Sequence, residues 1–272
     1  MPNEKRILLI NDLPGYGKIA LGAMMPILSR MGCQVFNLPT AVISNTLDYG
    51  KYQVLDTTDY MEGALRVWQE LGFAFDAVSV GFIASARQAA LIEDFCREAA
   101  AKGALVFTDP IMADNGRFYN GMTEENAGWM RRLAAVSDVV FPNFTEACLM
   151  TGQPWEPMAG PGTPDRLLDG LRALGARAAV VTGVKTAAGC CVAGCDGESR
   201  FRVPYEEIPG RFPGTGDAFS AVLIGALLQG KGLEAAAGQA ARAVAAMIRR
   251  SLSEGSTMKG LPVERYFDLL EG

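Results

Sequence analysis

Along this chain, short apolar runs alternate with stretches in which apolar residues recur at helical spacing. Residues 7–10 (Ile-Leu-Leu-Ile) form a strand-like run, followed by a Gly-containing turn and a helical pattern to about residue 31. The pattern predicts further strands at 34–38, 75–80, 105–107, 138–141 and 178–181. Between them it predicts helices over about 61–71, 88–101, 124–135, 145–150 and 167–174. Continuous apolar strands alternating with helices indicate βαβ units and a mostly parallel sheet covered on both faces, a three-layer α/β/α fold. After residue 181 the rhythm changes. Residues 189–193 and 200–203 read as a β-hairpin across the turn cluster Cys195-Asp196-Gly197-Glu198. A mostly helical C-terminus then runs to Leu270. Residues 153–164 are Pro/Gly-rich but short enough for a surface loop, so residues 1–272 are expected to form one domain.

Composition narrows the chemistry. Apolar residues make up 49% of the chain, enough for a full core, and the net charge of −5 gives no sign of a nucleic-acid or acidic-membrane partner. The polar N-terminus lacks the pattern of a signal peptide, and no apolar run is long enough to span a bilayer. A cytoplasmic protein is expected. There is no histidine, which removes Ser-His-Asp and Cys-His catalysis and every His-containing zinc site. The six cysteines form no CxxC pair, and Cys190 and Cys191 read as small residues of an apolar strand.

One stretch stands out. Phe212-Pro213-Gly214-Thr215-Gly216-Asp217 precedes an Ala/Leu-rich helical run. It reads as a tight loop opening a helix, where free N–H groups and the positive end of the helix dipole attract an anion such as phosphate. A carboxylate is out of place as a phosphate ligand. Asp217 fits better as a base that takes a proton from a hydroxyl about to attack phosphorus.

Four weaker features lie at predicted strand ends, where ligands of open α/β sheets bind. Asn11-Asp12-Leu13-Pro14-Gly15-Tyr16-Gly17 is a Gly-rich strand-to-helix turn, though not a Walker A motif. In Thr108-Asp109-Pro110-Ile111-Met112-Ala113-Asp114-Asn115-Gly116, Asp109 and Asp114 could face one hydrated Mg²⁺, or be turn formers in a polar loop. Asn143 and Glu146 would share one helix face. They could sit near phosphate and a Mg²⁺-bound water, or cap the helix. Thr182 and Lys185, at another strand end, could touch phosphate and nucleotide.

In this order, ending in Gly-Thr-Gly-Asp, these features resemble the ribokinase-like superfamily of small-molecule kinases over essentially the whole chain. Asp-Pro-Ile-Met-Ala-Asp-Asn-Gly at 109–116, Ser44-Asn45-Thr46-Leu47-Asp48-Tyr49-Gly50 and Gly81-Phe82-Ile83-Ala84-Ser85 resemble segments of its pyridoxal/pyridoxamine kinases. The resemblance implies ATP-dependent phosphorylation of the 5′-hydroxymethyl group of a vitamin B6 vitamer, with Asp217 as base and the amides of Gly214, Thr215 and Gly216 holding the transferring group. It implies vitamer contacts from Asp12, Ser44, Asn45, Thr46, Tyr49 and Phe82. Nucleotide contacts would come from Asn143, Thr182, Lys185 and Asp114. Mg²⁺ would sit near Asp114 and Glu146, with a monovalent cation such as K⁺ near Asp109. A mobile flap over about residues 195–211 and a homodimer are also implied.

Three positions depart from that family. Asp12 stands where it usually has serine, Thr46-Leu47 replaces a His-Thr pair, and Phe82 replaces tyrosine. Asp12 could pair with a protonated ring nitrogen or an amine, or accept hydrogen bonds from sugar hydroxyls. Two competing expectations follow. One is a sibling kinase acting on hydroxymethylpyrimidine, a sugar or a nucleoside. The other is a non-catalytic protein that binds a vitamer or its phosphate.

Overall fold

The run at 7–10 is wholly buried and forms the inner part of β1 (Arg6–Tyr16). In the computed structural model, which describes residues 4–46, 49–255 and 260–270, β1 pairs in parallel with β2 (Gln34–Asn45). The remaining strands are β3 (Val54–Asp56), β4 (Ala77–Val80), β5 (Leu105–Thr108), β6 (Ala113–Asp114), β7 (Arg117–Phe118), β8 (Val139–Val140), β9 (Ala178–Thr186), β10 (Gly189–Asp196) and β11 (Ser199–Tyr205). Nine of them form one sheet in the order β11-β10-β9-β8-β5-β4-β1-β2-β3, and β6 with β7 makes a separate two-stranded hairpin. The pairs β1–β2, β5–β8 and β8–β9 are parallel, whereas β3, β10 and β11 attach in antiparallel fashion at the edges. The expected mostly parallel α/β sheet is therefore present.

The chain divides into two compact units, Met1–Val78 with Ile208–Gly272, and Ser79–Glu207. In the first, the helices are α1 (Ala20–Arg30), α2 (Thr58–Glu70), α7 (Thr215–Leu228) and α8 (Leu233–Ser253), followed by a 3₁₀ helix at Val263–Leu269. Every residue of α7 from 218 to 226 is buried, which matches its apolar sequence on all faces. It packs against both α1 and α8, so close to the end of α1 that a Cβ on Gly225 would lie 2.6 Å from the Met31 sulfur. In the second unit, α3 (Ala86–Ala101), α4 (Glu124–Ala134), α5 (Phe144–Thr151) and α6 (Thr163–Ala173) flank the strands. Their inner faces meet a core that includes Val106, Phe107, Val140, Val180 and Val181. No described helix is long and apolar enough to cross a membrane.

Several local expectations are corrected. The turn predicted at 11–17 is mostly strand, because β1 runs on to Tyr16 and α1 starts only at Ala20. Pairing with β2 supplies the hydrogen bonds that a turn would have had to find locally. β9 likewise continues to Thr186, so Thr182 and Lys185 are strand residues, with Gly183 taking up a positive φ of 70° between them. The edge strand β3 and the β6–β7 hairpin were not foreseen; both are too short to show alternation. Residues 195–205 of the expected flap belong to the β10–β11 hairpin of the sheet. Helix α6 starts inside the predicted loop, with Pro164 in its first turn. Leu47 and Asp48 lie outside the described residues.

The β10–β11 hairpin depends on one vacancy. Gly194 faces Phe201 across the ladder, and a Cβ there would lie 2.1 Å from the Phe201 ring. Gly194→Ala is expected to cost about 1–3 kcal/mol through overpacking, read as a fall of several degrees in Tm. An unchanged Tm would show that the ring moves aside freely.

Candidate active site

In the first unit, Asp217 is the third residue of α7, in the first turn behind the glycine loop. Gly214 caps that helix at φ 84°, and a Cβ on it would sit 2.2 Å from the Lys18 carbonyl oxygen. Both the backbone conformation and the space demand glycine there. Thr215 closes the turn, its amide and hydroxyl both donating to the Phe212 carbonyl at 3.3 and 3.0 Å. Gly216 carries no such constraint. It is exposed, with nothing near the place of a Cβ, and its first-turn amide has no intrahelical acceptor. The loop therefore offers an open backbone donor at a helix N-terminus.

The Asp217 carboxyl accepts from its own amide and from the amide of Ala20, the first residue of α1. Ala20 adopts φ 46°, a strained value for a residue with a Cβ. Asp217 is thus served by the N-termini of two helices. Desolvation raises its pKa, and the two amides pull it back down.

Asp12 is 6% exposed. It sits where the β1–β2 register slips between the pairs Asn11↔Pro39 and Leu13↔Val42, so one β1 residue opposes Thr40 and Ala41 together. The Asn11 side chain accepts from the Asp12 amide at 3.0 Å. Burial, and then the charge of Asp217, raise the Asp12 pKa to about 7, while its own backbone amide opposes the rise. Buried Asp12 thus lies within reach of the charge of half-buried Asp217, and no basic side chain among the described residues offsets the Asp12 charge.

At the ends of β1 and β2 the backbones approach closely. A Cβ on Gly17 would lie 2.0 Å from the Thr46 hydroxyl, and Thr46 donates through its amide to the Tyr16 carbonyl at 3.0 Å. Ser44 accepts from the Gln53 amide and contacts the Asn45 side chain, whose amide group donates to the carbonyls of Thr46 and Lys51. These polar groups shape the segment after β2. Tyr49 stands at its rim, edge-on to Tyr16 at 5.8 Å, with both rings exposed.

The second unit carries the other acidic residues. Glu146 is 3% exposed and fully engaged. One carboxyl oxygen accepts from the amides of Met112 (3.0 Å) and Ala113 (3.4 Å), the other from the Asn143 amide (2.9 Å). Asn143 accepts in return from the Glu146 amide, completing a capping box at α5, and donates to the Ala113 carbonyl at 2.7 Å. Burial and the charge of Asp109 raise the Glu146 pKa well above the ordinary carboxylate value. Asp109 and Glu146 are therefore electrostatic neighbours. Asp114 is exposed, and its two oxygens accept from the amide and the side chain of Asn115. Lys185 pairs with Glu207 and also feels Asp114 and Cys190. Thr182 donates its amide to the Pro142 carbonyl at 3.0 Å, next to Asn143. Phe82, just after β4, is half-buried.

Sequence reasoning missed Ala20 and Glu207. Nothing in an alanine announces a positive φ, and the ion pair of Glu207 with Lys185 spans 22 positions. No group of three or more Cys, Asp or Glu among the described residues is arranged to hold a metal ion by itself.

The profile of the family described as phosphomethylpyrimidine kinase matches residues 26–262. Pyridoxal kinase PdxY of Rubrobacter xylanophilus is 28% identical over 265 residues, covering 92% of this chain and 89% of that protein. A Caenorhabditis elegans relative is 32% identical over 124 residues, only 43% of this chain and 36% of its own. A Bacteroides thetaiotaomicron protein crystallised with pyridoxal superposes with a TM-score of 0.91 at 31% identity, covering 99% of this chain and 96% of that one.

Protonation of Asp12 has a stability consequence. Its folded-state pKa of about 7 exceeds the ordinary 3.8, so the native state holds this proton more tightly than the unfolded chain. That contribution is complete below pH 3.8 and is lost as pH rises through about 7. Asp12→Asn is expected to gain stability relative to wild type across this window, by at most about 4 kcal/mol. Urea denaturation at a series of pH values measures it; parallel profiles for the two proteins would rule out a buried acid at Asp12.

Proposed function

Because the chain belongs to the phosphomethylpyrimidine kinase family, we propose that it transfers the terminal phosphoryl group of ATP to the 5′-hydroxymethyl group of a vitamin B6 vitamer. The observation that carries this reading is Asp217, a desolvated carboxylate held by two helix N-termini directly behind an open glycine loop. Its support comes from the similarity to a pyridoxal kinase over 92% of this chain and from the fold shared with a protein that crystallised with pyridoxal.

In this reading Asp217 accepts the proton of the attacking 5′-hydroxyl, and the Gly214–Gly216 loop, led by the open Gly216 amide, meets the charge that develops on the transferring group. Phosphoryl transfer needs little covalent help, so holding these groups in place supplies most of the acceleration. Thr46 and Tyr49 border the vitamer, Ser44 and Asn45 hold the segment that carries them, and Phe82 covers the ring. Lys185 and Thr182 serve the nucleotide. Asn143, with both side-chain groups hydrogen-bonded, holds the 112–113 turn in place.

The acidic residues suit Mg²⁺ brought in with the phosphates, which takes one or two carboxylates and keeps its other ligands from water and phosphate. Asp109 and Glu146 are such a pair, and their mutual repulsion is what a cation would relieve. Bound there, Mg²⁺ would neutralise phosphate charge; Asp114 is the third acidic group assigned to this region. A K⁺-type cation near Asp109, a homodimer, a cytoplasmic location and one kinase domain over residues 1–272 complete the reading.

Incubating the purified protein with ATP, Mg²⁺ and a panel of acceptors tests it. Turnover of pyridoxal, pyridoxine or pyridoxamine is expected. Turnover of hydroxymethylpyrimidine or a sugar alone would replace the acceptor, and vitamer binding with no ATP consumed would make the protein a binder. Asp217→Ala is expected to keep the wild-type Tm and nucleotide affinity while kcat falls 10²–10⁴-fold. Retention of more than half of kcat would remove Asp217 as base.

A further inference from the structure

The start of α1 is held from outside the helix. Its N-cap residue, Ile19, is extended and offers no side-chain cap, and the next residue, Ala20, carries the positive φ of 46°. A strained residue at an uncapped helix start relaxes unless its surroundings fix it. Lys18 supplies that restraint through three contacts. The Gly214 loop lies against its carbonyl, as the 2.2 Å approach shows. Its backbone also forms an isolated parallel bridge with Gly260, where a Cβ would lie only 3.0 Å from the Lys18 nitrogen. Gly260 takes up a φ of 138°, which residues with a Cβ rarely adopt. The Lys18 ammonium then pairs with the Glu264 carboxylate, further along the same segment.

The segment that grips Lys18 is itself anchored. Leu261, Val263, Tyr266 and Leu270 are buried. Gln239 of α8 donates to the Leu270 carbonyl at 2.8 Å, and Arg250 of α8 donates to both Asp268 oxygens at 2.7 and 2.8 Å. We propose that Lys18 and Glu264 are positioning residues: by tying the β1–α1 connection to the C-terminal segment, they set the start of α1 so that the Ala20 amide meets the Asp217 carboxyl. The inference rests on the reading of Asp217 as base. Desolvation pushes the Asp217 pKa up, the amides of Ala20 and Asp217 pull it down, and the titratable group that feels its charge is Asp12 on β1. Lys18 and Glu264 therefore reach Asp217 through the Ala20 amide. Their ion pair is part-exposed and adds little to global stability, so its effect is local.

The test compares the pH dependence of kcat/KM for wild type, Glu264→Gln and Arg265→Gln, with pyridoxal as acceptor. The Glu264 side chain is 42% exposed, so Glu264→Gln is expected to fold with a Tm close to wild type. Arg265 pairs with Glu254 at 3.1 Å, so Arg265→Gln removes an ion pair of the same segment and leaves the Lys18 pair intact. In Glu264→Gln the acid limb, where Asp217 takes up its proton, should move up by about 0.3–0.7 pH unit, and kcat/KM on that limb should fall about two- to fivefold. Charge alone would act the other way, because removing a negative charge lowers a carboxyl pKa. Arg265→Gln should keep the wild-type profile. An acid limb unmoved or lowered in Glu264→Gln, or raised equally in Arg265→Gln, overturns the proposal. If wild type turns over no vitamer, or Asp217→Ala keeps its turnover, the functional reading fails separately. Carbonyl-carbon NMR of Asp217 then decides the positioning claim: a titration raised in Glu264→Gln alone supports it, and any other pattern overturns it.

Discussion

A desolvated carboxyl must either find enough donors to carry a charge or keep its proton. In the first unit this choice is made twice, with different answers. Asp217 has two backbone amides and the first turn of its own helix, which oppose the upward pull of desolvation on its pKa. Asp12 has one amide and a charged neighbour, so its proton is held up to about pH 7. Two carboxyls in one region whose environments push their pKa values apart can be assigned different roles. In the proposed reading the better-served one is the base. The surrounding structure is shaped to this end. Gly214 lets the loop back against the Lys18 carbonyl, and Ala20 accepts a strained φ to aim its amide at Asp217.

The second unit solves the same problem structurally. Among the described residues Glu146 is as buried as any charged group, and three backbone amides hold it. Those bonds tie the 112–113 turn to the start of α5, so the turn carrying Asp109 is fixed by a helix cap. The carboxylate that organises this backbone also repels Asp109, and in the proposed reading that repulsion is what Mg²⁺ would relieve. A stability role for Asn143 and Glu146 does not compete with a part in catalysis.

Much of this was legible in the sequence. The apolar runs marked the inner strands, and the Gly-Thr-Gly-Asp stretch marked the helix start that presents Asp217. The strand ends were not legible. β1 and β9 run past their apolar runs because ladder pairing to β2 and β10 continues where local pattern stops. Pairing is a long-range property, which residues 11–16 and 182–186 cannot announce by themselves. The same holds for Ala20 and Glu207, whose importance comes entirely from what the fold places beside them. Asp12 was visible as a departure from a family pattern. That no basic side chain among the described residues offsets it follows from the fold and not from the sequence around it.

The division of labour between the two carboxyls can be read directly. Carbonyl-carbon NMR of labelled aspartates, assigned with Asp12→Asn and Asp217→Ala, follows each group through pH. The account predicts that Asp217 loses its proton first and that Asp12 titrates near pH 7, with the Asp217 step moving little in Asp12→Asn. An Asp12 already ionised well below pH 7 while Asp217 still held its proton would reverse the two roles and contradict the account.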